Sequence, residues 1–425
     1  MEGGLKMKIK ITISDYFIIY FFLLMGLYHY KVKHYFYWEH IAELKQGHFD
    51  FSFSRFLVVV ILFFVNLYFL RKISYTKFAF IVISIFFTLL TIPALIAFTS
   101  GEIYSLKLLV YHQTFFLILY FLSKVKIDFS KIPVINKTQA LYVLLSLTTI
   151  GIVPYLIVYG PYINLKNLIL LEVYQTRSIM GKLSNPYFGY TYSIFTKIFI
   201  PLIIVFGLEL KKKIWVLTGI IYLLLFYLFG AHKTVYVGLI VVLVFYRFSF
   251  IQSVKFLLKY SSILILACMF LAFVGYDYPW ILTFRRVHFI PTLLDICYTD
   301  YFQDNFLYWS DSILKKFVTY PYDLRVTNII GEVYFNRPDM SANNGLVSEG
   351  YMNFGTFGVL LNIFIVSSFF MVINNLKIPA KYFGLFILTM FSFLSSSVFT
   401  VLLTHGGVAL IIVSIFVLSD KRNLI

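Results

Sequence analysis

Charged residues and cysteines are scarce in this chain. Asp, Glu, Lys and Arg together make up 13% of its 425 residues, whereas hydrophobic residues make up 60%. Soluble domains carry about 25% charged residues, so this composition excludes an ordinary soluble protein and indicates a polytopic membrane protein. The two cysteines, Cys268 and Cys297, fall in a predicted span and a predicted loop, which argues against a disulfide framework.

Several motifs for nucleotide and metal chemistry are also absent. The sequence contains no Walker-type phosphate loop, no HExxH, no GxSxG and no Asp-x-Asp pair, which disfavours ATP-driven transport and metalloprotease chemistry. The N-terminal histidines do not have the ligand spacing of a structural zinc site. We therefore expect neither a metal nor a cofactor.

The positive charge of the chain does not indicate a nucleic-acid partner. The 36 Lys and Arg exceed the 19 Asp and Glu, for a net charge of +17, but no patch of basic residues is typical of a groove for a phosphodiester backbone. Most of the excess falls instead in every second connection between apolar runs. That distribution is the positive-inside signal of a multi-pass membrane protein.

Twelve apolar runs are long enough to be candidate membrane spans. They lie near 11–30, 55–70, 78–99, 106–123, 139–160, 190–209, 214–230, 234–248, 261–280, 353–374, 382–400 and 404–419. The regular alternation of basic connections predicts an all-α protein that forms one integral membrane domain, 1–425, with about twelve transmembrane helices. Both termini are predicted to be cytoplasmic.

Two connections on the opposite side are predicted to be large loops, at 161–189 and 281–352. The stretch 281–350 alone holds eight of the nineteen acidic residues. Short amphipathic helices are expected within it, lying on the membrane surface. In these helices one set of residues would face lipid and another would face water: Leu293, Leu294, Ile296 and Cys297 in the first set, and Asp295, Asp300 and Asp304 in the second.

Arginines in these loops are candidates for binding an anionic group. A guanidinium is a planar, permanently charged fork that suits phosphate and carboxylate oxygens. Arg177 lies in the first loop near Gly181 and Gly189, while Arg285 and Arg286 follow a predicted span at the membrane surface. Alternatively, Arg177 is a solvated loop residue or a partner of Glu172, and the arginine pair snorkels to fix the end of its span.

Aromatic and polar residues alternate farther along the second loop. Tyr301, Asp304 and Trp309 lie in such a stretch, and a sugar offers a C–H face for stacking and hydroxyls for hydrogen bonds. Aromatic residues are also common at any membrane interface, which is the alternative interpretation.

The end of the second loop contains a candidate acid or base. Glu349 lies where the chain re-enters the membrane, so burial there would suit it for proton transfer; the alternative is a carboxylate that caps a helix. Asn343 and Asn344 precede Gly345 in a predicted turn. Lys233, in a tight external hairpin, is costly against lipid unless it snorkels or meets an anion.

Several segments resemble the Wzy-type O-antigen and capsule polymerases. The resemblance covers roughly 170–360 and rests on loose motifs: Arg177, Gly230 to Lys233, Arg285-Arg286 with Pro291, Tyr301-Phe302, Asn328 to Phe335, Ser341 to Gly345 and Glu349 to Gly355. Members of that family are inner-membrane glycosyltransferases with about a dozen spans and two large periplasmic loops. They polymerise oligosaccharide repeat units that are carried on undecaprenyl pyrophosphate, without a metal or a nucleotide.

The resemblance implies essential loop arginines, which we carry over to Arg177, Arg285, Arg286 and Arg325. We expect these residues and Glu349 to be catalytic. Seven more residues are expected to bind substrate, with His288 and Asp304 as further candidates for the base: Lys233, His288, Tyr301, Asp304, Trp309, Asn343 and Asn344. The implied partners are the lipid-linked oligosaccharide, a chain-length regulator, a flippase of the same pathway and membrane lipid.

Two other functions would produce a similar sequence. An O-antigen ligase uses the same lipid-linked donor with a different acceptor, and the sequence separates it poorly from a polymerase. A flippase for lipid-linked oligosaccharides would have a similar number of spans, but its loops would be short and its charges would line the membrane interior. The predicted spans of this chain carry few charges, which favours the polymerase.

Overall fold

The fold is a bundle of helices, and we describe it from a computed structural model that covers residues 12–38, 50–101, 104–303 and 305–419. Within these ranges no strand occurs. The helices are α1 Ile13–Phe36, α2 Phe53–Arg71, α3 Phe78–Phe98, α4 Leu106–Leu122, α5 Lys137–Tyr162, α6 Val173–Lys182, α7 Pro186–Glu209, α8 Lys213–Gly230, α9 Thr234–Phe245, α10 Phe250–Phe273, α11 278–301, α12 Val326–Phe335, α13 Leu346–Asn375, α14 Gly384–Ser395, α15 Val398–Leu403 and α16 Gly407–Leu418.

Many of these helices have the length and composition of membrane spans. Eight are long and apolar enough to cross a bilayer: α1, α2, α3, α5, α7, α8, α10 and α13. Shorter apolar helices α4, α9, α14 and α16 occupy the remaining four predicted runs. The chain is thus a membrane-embedded, multi-pass protein, while the count of twelve spans and their orientation stay predictions.

Helix α10 differs most from its predicted bounds of 261–280. It begins at Phe250 because Ser249 and Gln252 form a capping box, in which each side chain bonds the other's backbone. Lys255 and Lys259, which were expected to lie in a connection, are therefore part of the helix. Lysine stems can follow an apolar helix surface while the ammonium reaches water, so the charges do not end the helix.

The second predicted loop opens with a packed helix rather than a surface segment. Within α11 the side chains of Leu293, Leu294, Ile296 and Cys297 are buried in the protein core, so the prediction that they face lipid is wrong. Asp295, expected to face water, is only 3% exposed. It is tolerated there because three neighbouring side chains supply hydrogen bonds to its carboxylate. Asp304 lies outside the described residues.

Helix α13 is folded back on itself near its start. Its backbone is non-helical at Phe354 and Gly355, and Gly355 has a φ of +58°, which a glycine tolerates. The Asn362 side chain donates to the Leu346 carbonyl oxygen at 3.0 Å. Gly350 and Gly358 approach so closely that a Cβ on either would collide with the other's backbone. Residues 346–353 therefore form a short helix that returns beside the long part of α13.

Polar contacts between connections join cytoplasmic connections to each other and external connections to each other, as these sides are predicted from the sequence. Glu209 pairs with Lys137 and with Lys381, whose Nζ lies 3.0 Å from its Oε1; all three residues lie in or next to predicted cytoplasmic connections. Arg177 donates to the Ala231 carbonyl oxygen, which joins two predicted external connections. Each contact stays within one predicted side of the membrane.

The interior contains two packed hydrophobic clusters. The larger one includes α3. Of the eight helices long enough to span a membrane, α3 is the most enclosed, since 94% of its most apolar 18-residue stretch is buried. The smaller one brings together aromatic residues of α5, α7 and α8, with Tyr155 in face or edge contact with Phe188, Phe226 and Phe229. The site described below lies at the border of this smaller cluster.

Candidate functional site

A polar cavity of about 580 Å³ opens between the smaller aromatic cluster and the segment that links α14 to α16. We call it the basic cavity. Its wall combines basic side chains with hydroxyl groups and aromatic rings: Arg177, Lys197, His232, His405, Ser392, Ser395, Ser396, Thr404, Tyr155, Tyr159 and Tyr192. Among the described residues that line it, none is Asp or Glu. Such a wall favours an anionic ligand.

Arg177 is fixed at one side of the basic cavity. It lies on the surface helix α6, and its Nε and Nη2 donate to the Ala231 carbonyl oxygen at 3.2 and 3.0 Å. Ala231 ends α8 in a left-handed conformation with φ of +48°, so its carbonyl is not used inside the helix. A guanidinium has five N–H donors. This anchor orients the group and leaves donors for a ligand.

Lys197 supplies a second cation from within a membrane-length helix. It lies on a widened, π-helical turn of α7, Phe195–Phe199, and turns of this kind often occur at functional sites. Its Nζ donates to the Ser392 hydroxyl at 3.3 Å. A half-buried ammonium at this depth is costly unless an anion meets it, and the described cavity wall offers no carboxylate. The arrangement therefore suits an anion that comes from outside the protein.

A break between helices brings hydroxyl groups to the same cavity. Helix α14 ends at Ser395, Ser396 is extended with φ of −145° and ψ of 152°, and α15 begins at Val398. A second interruption follows at Gly406, where φ is +87°. Both interruptions expose polar groups that a continuous helix would use internally. Such discontinuous helices form ion and substrate sites in membrane proteins.

Two histidines add polar but uncharged groups to the cavity. Burial, together with the smaller effect of the positive charge of Lys197, lowers the pKa of His405 to about 4. The pKa of His232 is also lowered to about 4, by desolvation and then by the charges of Arg177 and Lys197; water screens this effect more because the side chain is exposed. At neutral pH the cavity therefore holds the cations of Arg177 and Lys197 and two neutral imidazoles.

A buried carboxylate lies next to the basic cavity. Glu349, which is 2% exposed, accepts hydrogen bonds at Oε1 from Trp309 Nε1 at 3.0 Å and from the Ser397 hydroxyl at 3.3 Å. Asn353 and Asn362 also donate to it. Because Ser397 directly follows Ser396, which lines the cavity, a single residue separates the carboxylate from the anion-binding wall.

Trp309 and Glu349 are the predicted site residues that contact each other. The Trp309 ring lies 4.7 Å from the Phe354 ring and 5.0 Å from the Phe399 ring, measured between centroids. Its backbone N–H donates to Asn353 Oδ1 at 2.7 Å. These contacts hold the loop 307–309 against the turn of the α13 hairpin, so Trp309 positions Glu349 whether or not it also stacks on a sugar.

Other predicted residues lie apart from the basic cavity. Lys233 is exposed beside it but does not line it, and Arg286 and Arg325 are also exposed. The Arg285 guanidinium lies 4.5 Å above the Tyr35 ring. Two further residues lie elsewhere in the second loop: Tyr301 packs near Phe302 and Tyr322, and Asn343 is exposed. The structure therefore groups Arg177 with Lys197 rather than with the other arginines.

Two more predicted residues belong to interior contacts. His288 is buried, and its Nε2 lies 2.6 Å from the Tyr20 hydroxyl. Asn344 donates to Asp295 Oδ1 at 2.9 Å and to the Ser348 hydroxyl. His112 Nε2 lies 3.0 Å from the other Asp295 oxygen. Together these four residues, Asp295, His112, Asn344 and Ser348, form what we call the closed network.

Some of the site residues that the sequence analysis did not name are nevertheless unusual in the sequence. Lys197 stands alone inside an apolar run, and ionisable residues inside spans are expected to be functional or paired. His112 carried the same signal, and so did Asn362 as a polar residue in α13. By contrast, nothing local in the sequence indicates that Asp295 meets His112, because 183 positions separate them. Within the described ranges, no group of three or more His, Cys, Asp or Glu is arranged to hold a metal ion.

Comparison of the chain with models of protein families, with curated proteins and with solved structures found no match. The functional argument therefore depends on the geometry of the basic cavity, on the neighbouring carboxylate and on the resemblance of the loop motifs.

Proposed function

We propose that this protein is a membrane glycosyltransferase that polymerises oligosaccharide repeat units carried on a lipid diphosphate, to form O-antigen or capsular polysaccharide. The carrier implied by the motifs is undecaprenyl pyrophosphate. The reaction would occur on the outer face of the cytoplasmic (inner) membrane. A flippase would deliver the units, and a chain-length regulator would act with the enzyme.

One observation carries the proposal: a cavity with two cations and no carboxylate on its described wall lies one residue from a buried carboxylate. A diphosphate needs cations, and a hydroxyl nucleophile needs a proton acceptor. Arg177 and Lys197 meet the first need, and Glu349 meets the second. Among the described contacts, the Glu349 carboxylate forms no ion pair with Arg177 or Lys197.

The proposed step exchanges one bond at the anomeric carbon for another. The bond from that carbon to the diphosphate oxygen of the donor breaks, while an acceptor hydroxyl oxygen forms the new glycosidic bond. The hydroxyl proton moves to Glu349, either directly or through the Ser397 hydroxyl, and the lipid diphosphate leaves with the electron pair. Negative charge grows on the diphosphate during this step, so the fixed guanidinium of Arg177 would stabilise the transition state by about 2.7–4 kcal/mol.

The remaining predicted residues keep their proposed roles without structural support at the cavity. Arg285, Arg286 and Arg325 would act on a second lipid-linked substrate. Five others would contact its sugars or phosphates: Lys233, Tyr301, Asp304, Asn343 and Asn344. His288, which is buried against Tyr20, would contact only a hydrocarbon part of a substrate. The closed network gives Asn344 a structural role that its proposed contact with substrate would have to accommodate.

Transport of the same lipid-linked substrate is the second candidate function. The small number of charges in the predicted spans argues against it, but Lys197 and Asp295 lie within the helix bundle. The discontinuous α14–α16 segment is also typical of transporters. A ligase remains the nearer alternative because it would need the same basic cavity.

Reconstitution separates the three functions. Purified protein in proteoliposomes would receive a synthetic repeat unit on a prenyl diphosphate, with no nucleotide and no other acceptor. We expect lipid-linked products of two or more units, resolved by mass spectrometry, and we expect Glu349→Gln to abolish them. Movement of intact units across the bilayer without longer products would contradict the proposal and favour transport. A deletion strain adds an independent readout: loss of a polymerase leaves single units on the final acceptor, whereas loss of a ligase or a flippase leaves none.

A further inference from the structure

A second cavity, of about 310 Å³, lies in the interior of the helix bundle. We call it the apolar cavity. It is enclosed by α1, α3, α10, α11 and α14. Tyr20 and His288 lie at its buried end, and Leu264, Leu282 and Phe391 are among the side chains that complete its wall. Its volume falls within the range of small-molecule sites, about 300–1,000 Å³.

The apolar cavity reaches the surface that faces lipid. Leu264, Leu282 and Phe391 line it and are also exposed on the outside of the bundle, by 39–45%. Leu264 lies on the membrane-length helix α10, where an exposed leucine faces hydrocarbon rather than water. The cavity thus has a lateral opening toward the core of the bilayer.

The chemistry of the wall selects hydrocarbon as the occupant. Among the described lining residues none is Asp, Glu, Lys or Arg, so a charged headgroup would have no partner. Ser84 and Thr88, at mid-length of α3, donate their hydroxyl protons to carbonyl oxygens one turn earlier. These hydroxyls are therefore satisfied within the helix. A flexible hydrocarbon chain that enters from the bilayer fits such a wall.

The apolar and basic cavities share one helix. Phe391 lines the apolar cavity, and the next residue, Ser392, lines the basic cavity and accepts a hydrogen bond from Lys197. Consecutive residues of a helix point about 100° apart, so adjacent faces of α14 contribute to the two cavities. A lipid with its diphosphate in the basic cavity would have hydrocarbon available for the apolar cavity close by.

We propose that the apolar cavity holds part of the hydrocarbon chain of the same lipid whose diphosphate binds in the basic cavity. The inference rests on the proposed function, and it adds a tail site to the head site. Binding both ends would fix the depth of the diphosphate relative to Lys197. It would also select long-chain carriers over short prenyl diphosphates that cannot reach from one cavity to the other.

Photo-crosslinking tests the tail site in the wild-type protein. A long-chain prenyl diphosphate with a photoreactive group in the chain would be added to purified full-length protein in nanodiscs, and labelled peptides would be mapped by mass spectrometry. We expect labels on residues that line the apolar cavity, and we expect unlabelled prenyl diphosphate to displace them. A photoreactive phosphatidylglycerol is the second probe, and it should label these residues at least tenfold less.

Substitutions give an independent readout. Leu257→Trp fills the apolar cavity from α10, and it should weaken binding of the long-chain diphosphate at least tenfold while binding of inorganic pyrophosphate stays unchanged. Leu266→Trp is the matched control, because Leu266 is exposed on the same helix and does not line the cavity. If Leu257→Trp is unstable, the positions of the photo-crosslinks in the wild-type protein decide whether the apolar cavity binds the hydrocarbon chain.

The outcomes separate this inference from the proposed function. Diphosphate binding that needs Arg177 and Lys197, together with labels only outside the apolar cavity, would overturn the tail site and leave the proposed function standing. Equal labelling by phosphatidylglycerol would overturn it too, because the cavity would then hold bulk lipid. Absence of any diphosphate binding would contradict both.

Discussion

The closed network and the basic cavity are both polar sites among apolar helices, yet they differ in how their hydrogen bonds are satisfied. In the closed network Asp295 accepts bonds from Asn344 and Ser348 and lies against His112, with both members of the Asp295–His112 pair at most 4% exposed. In the basic cavity, among the described residues, Arg177 and Lys197 donate hydrogen bonds only to neutral oxygen atoms, and about 580 Å³ of space lies beside them.

This difference distinguishes charged residues that stabilise the fold from charged residues that are available to bind a ligand. Asp295 accepts bonds only from the chain, and none of the four residues of the closed network lines the basic or the apolar cavity. Such a carboxylate fixes the fold, because removing it leaves its partners unsatisfied. Cations that face an open cavity contribute little to the fold and are available for a ligand. Mutations in the two sites should therefore have opposite effects on stability and on activity.

The largest expected effect is on stability, from Asp295→Ala. The substitution leaves His112 and Asn344 buried without their acceptor, which should cost about 3–5 kcal/mol. We expect most of the protein to aggregate in a thermal-stability assay followed by size-exclusion chromatography. Asp323→Ala, at an exposed position, is the control and should change the transition little. A stable Asp295→Ala variant would show that the closed network does not hold the fold.

Arg177→Ala should lower activity strongly and leave stability nearly unchanged. Polymer synthesis should fall roughly 10²–10³-fold because one preorganised donor to the leaving group is lost, while the melting temperature stays close to that of the wild type. The measurement is polymer length and amount in a complemented deletion strain, with protein levels checked by immunoblot. Lys182→Ala removes a positive charge from the same helix outside the cavity wall. If both variants reduced polymer equally, the effect would be one of general charge.

Lys197→Met tests the contrast between the closed network and the basic cavity, because it should lower activity without lowering stability. Methionine fills the same space without a charge to desolvate, so the melting temperature should stay equal or rise. Polymer synthesis should fall at least tenfold, since a cation for the diphosphate is gone. Lys259→Met, on an exposed part of α10, should leave synthesis unchanged. A destabilised Lys197→Met variant would mean that the lysine belongs to the fold.

The smallest expected effect concerns pH and His405. Its pKa is about 4 in the folded protein and about 6.5 in an unfolded chain, so the folded state binds fewer protons between these values. Stability from this group is therefore complete above pH 6.5 and is lost as the pH falls toward 4. His405→Gln should lose less thermal stability than the wild type between pH 7 and 4.5, by on the order of 1–2 kcal/mol.

A control keeps the pH experiment specific. His34→Gln changes an exposed histidine and should follow the wild-type curve at every pH. Identical curves for His405→Gln and the wild type would contradict the low pKa of His405.

The sequence predicted the helical elements well and the site only in part. Each of the twelve apolar runs contains a helix, because length and hydropathy are local properties of the sequence. The break near Ser396, inside the run 382–400, was not predicted. The sequence indicates Glu349 because it lies where the chain re-enters the membrane, and Arg177 because it lies in the middle of a large polar loop. Lys197 was not named, since its role depends on Ser392 and Arg177, which approach it only in the fold.

The second loop shows why the remaining features escaped prediction. Its periodicity predicts Asp295 toward water and its apolar neighbours toward lipid, yet all of them are buried. The pattern cannot distinguish a helix on the membrane surface from one buried by other helices. The partners that make Asp295 tolerable come from α4 and from the start of α13. The fold-back of α13 depends on close contact between Gly350 and Gly358, which a run of apolar residues does not reveal.

Binding of a prenyl diphosphate to purified protein tests the central claim most directly. Titration of wild-type protein in nanodiscs should give saturable binding, and the Arg177→Ala/Lys197→Met double variant should bind at least 100-fold more weakly with an unchanged melting temperature. Equal affinity in the two proteins would contradict the assignment of the basic cavity as the diphosphate site.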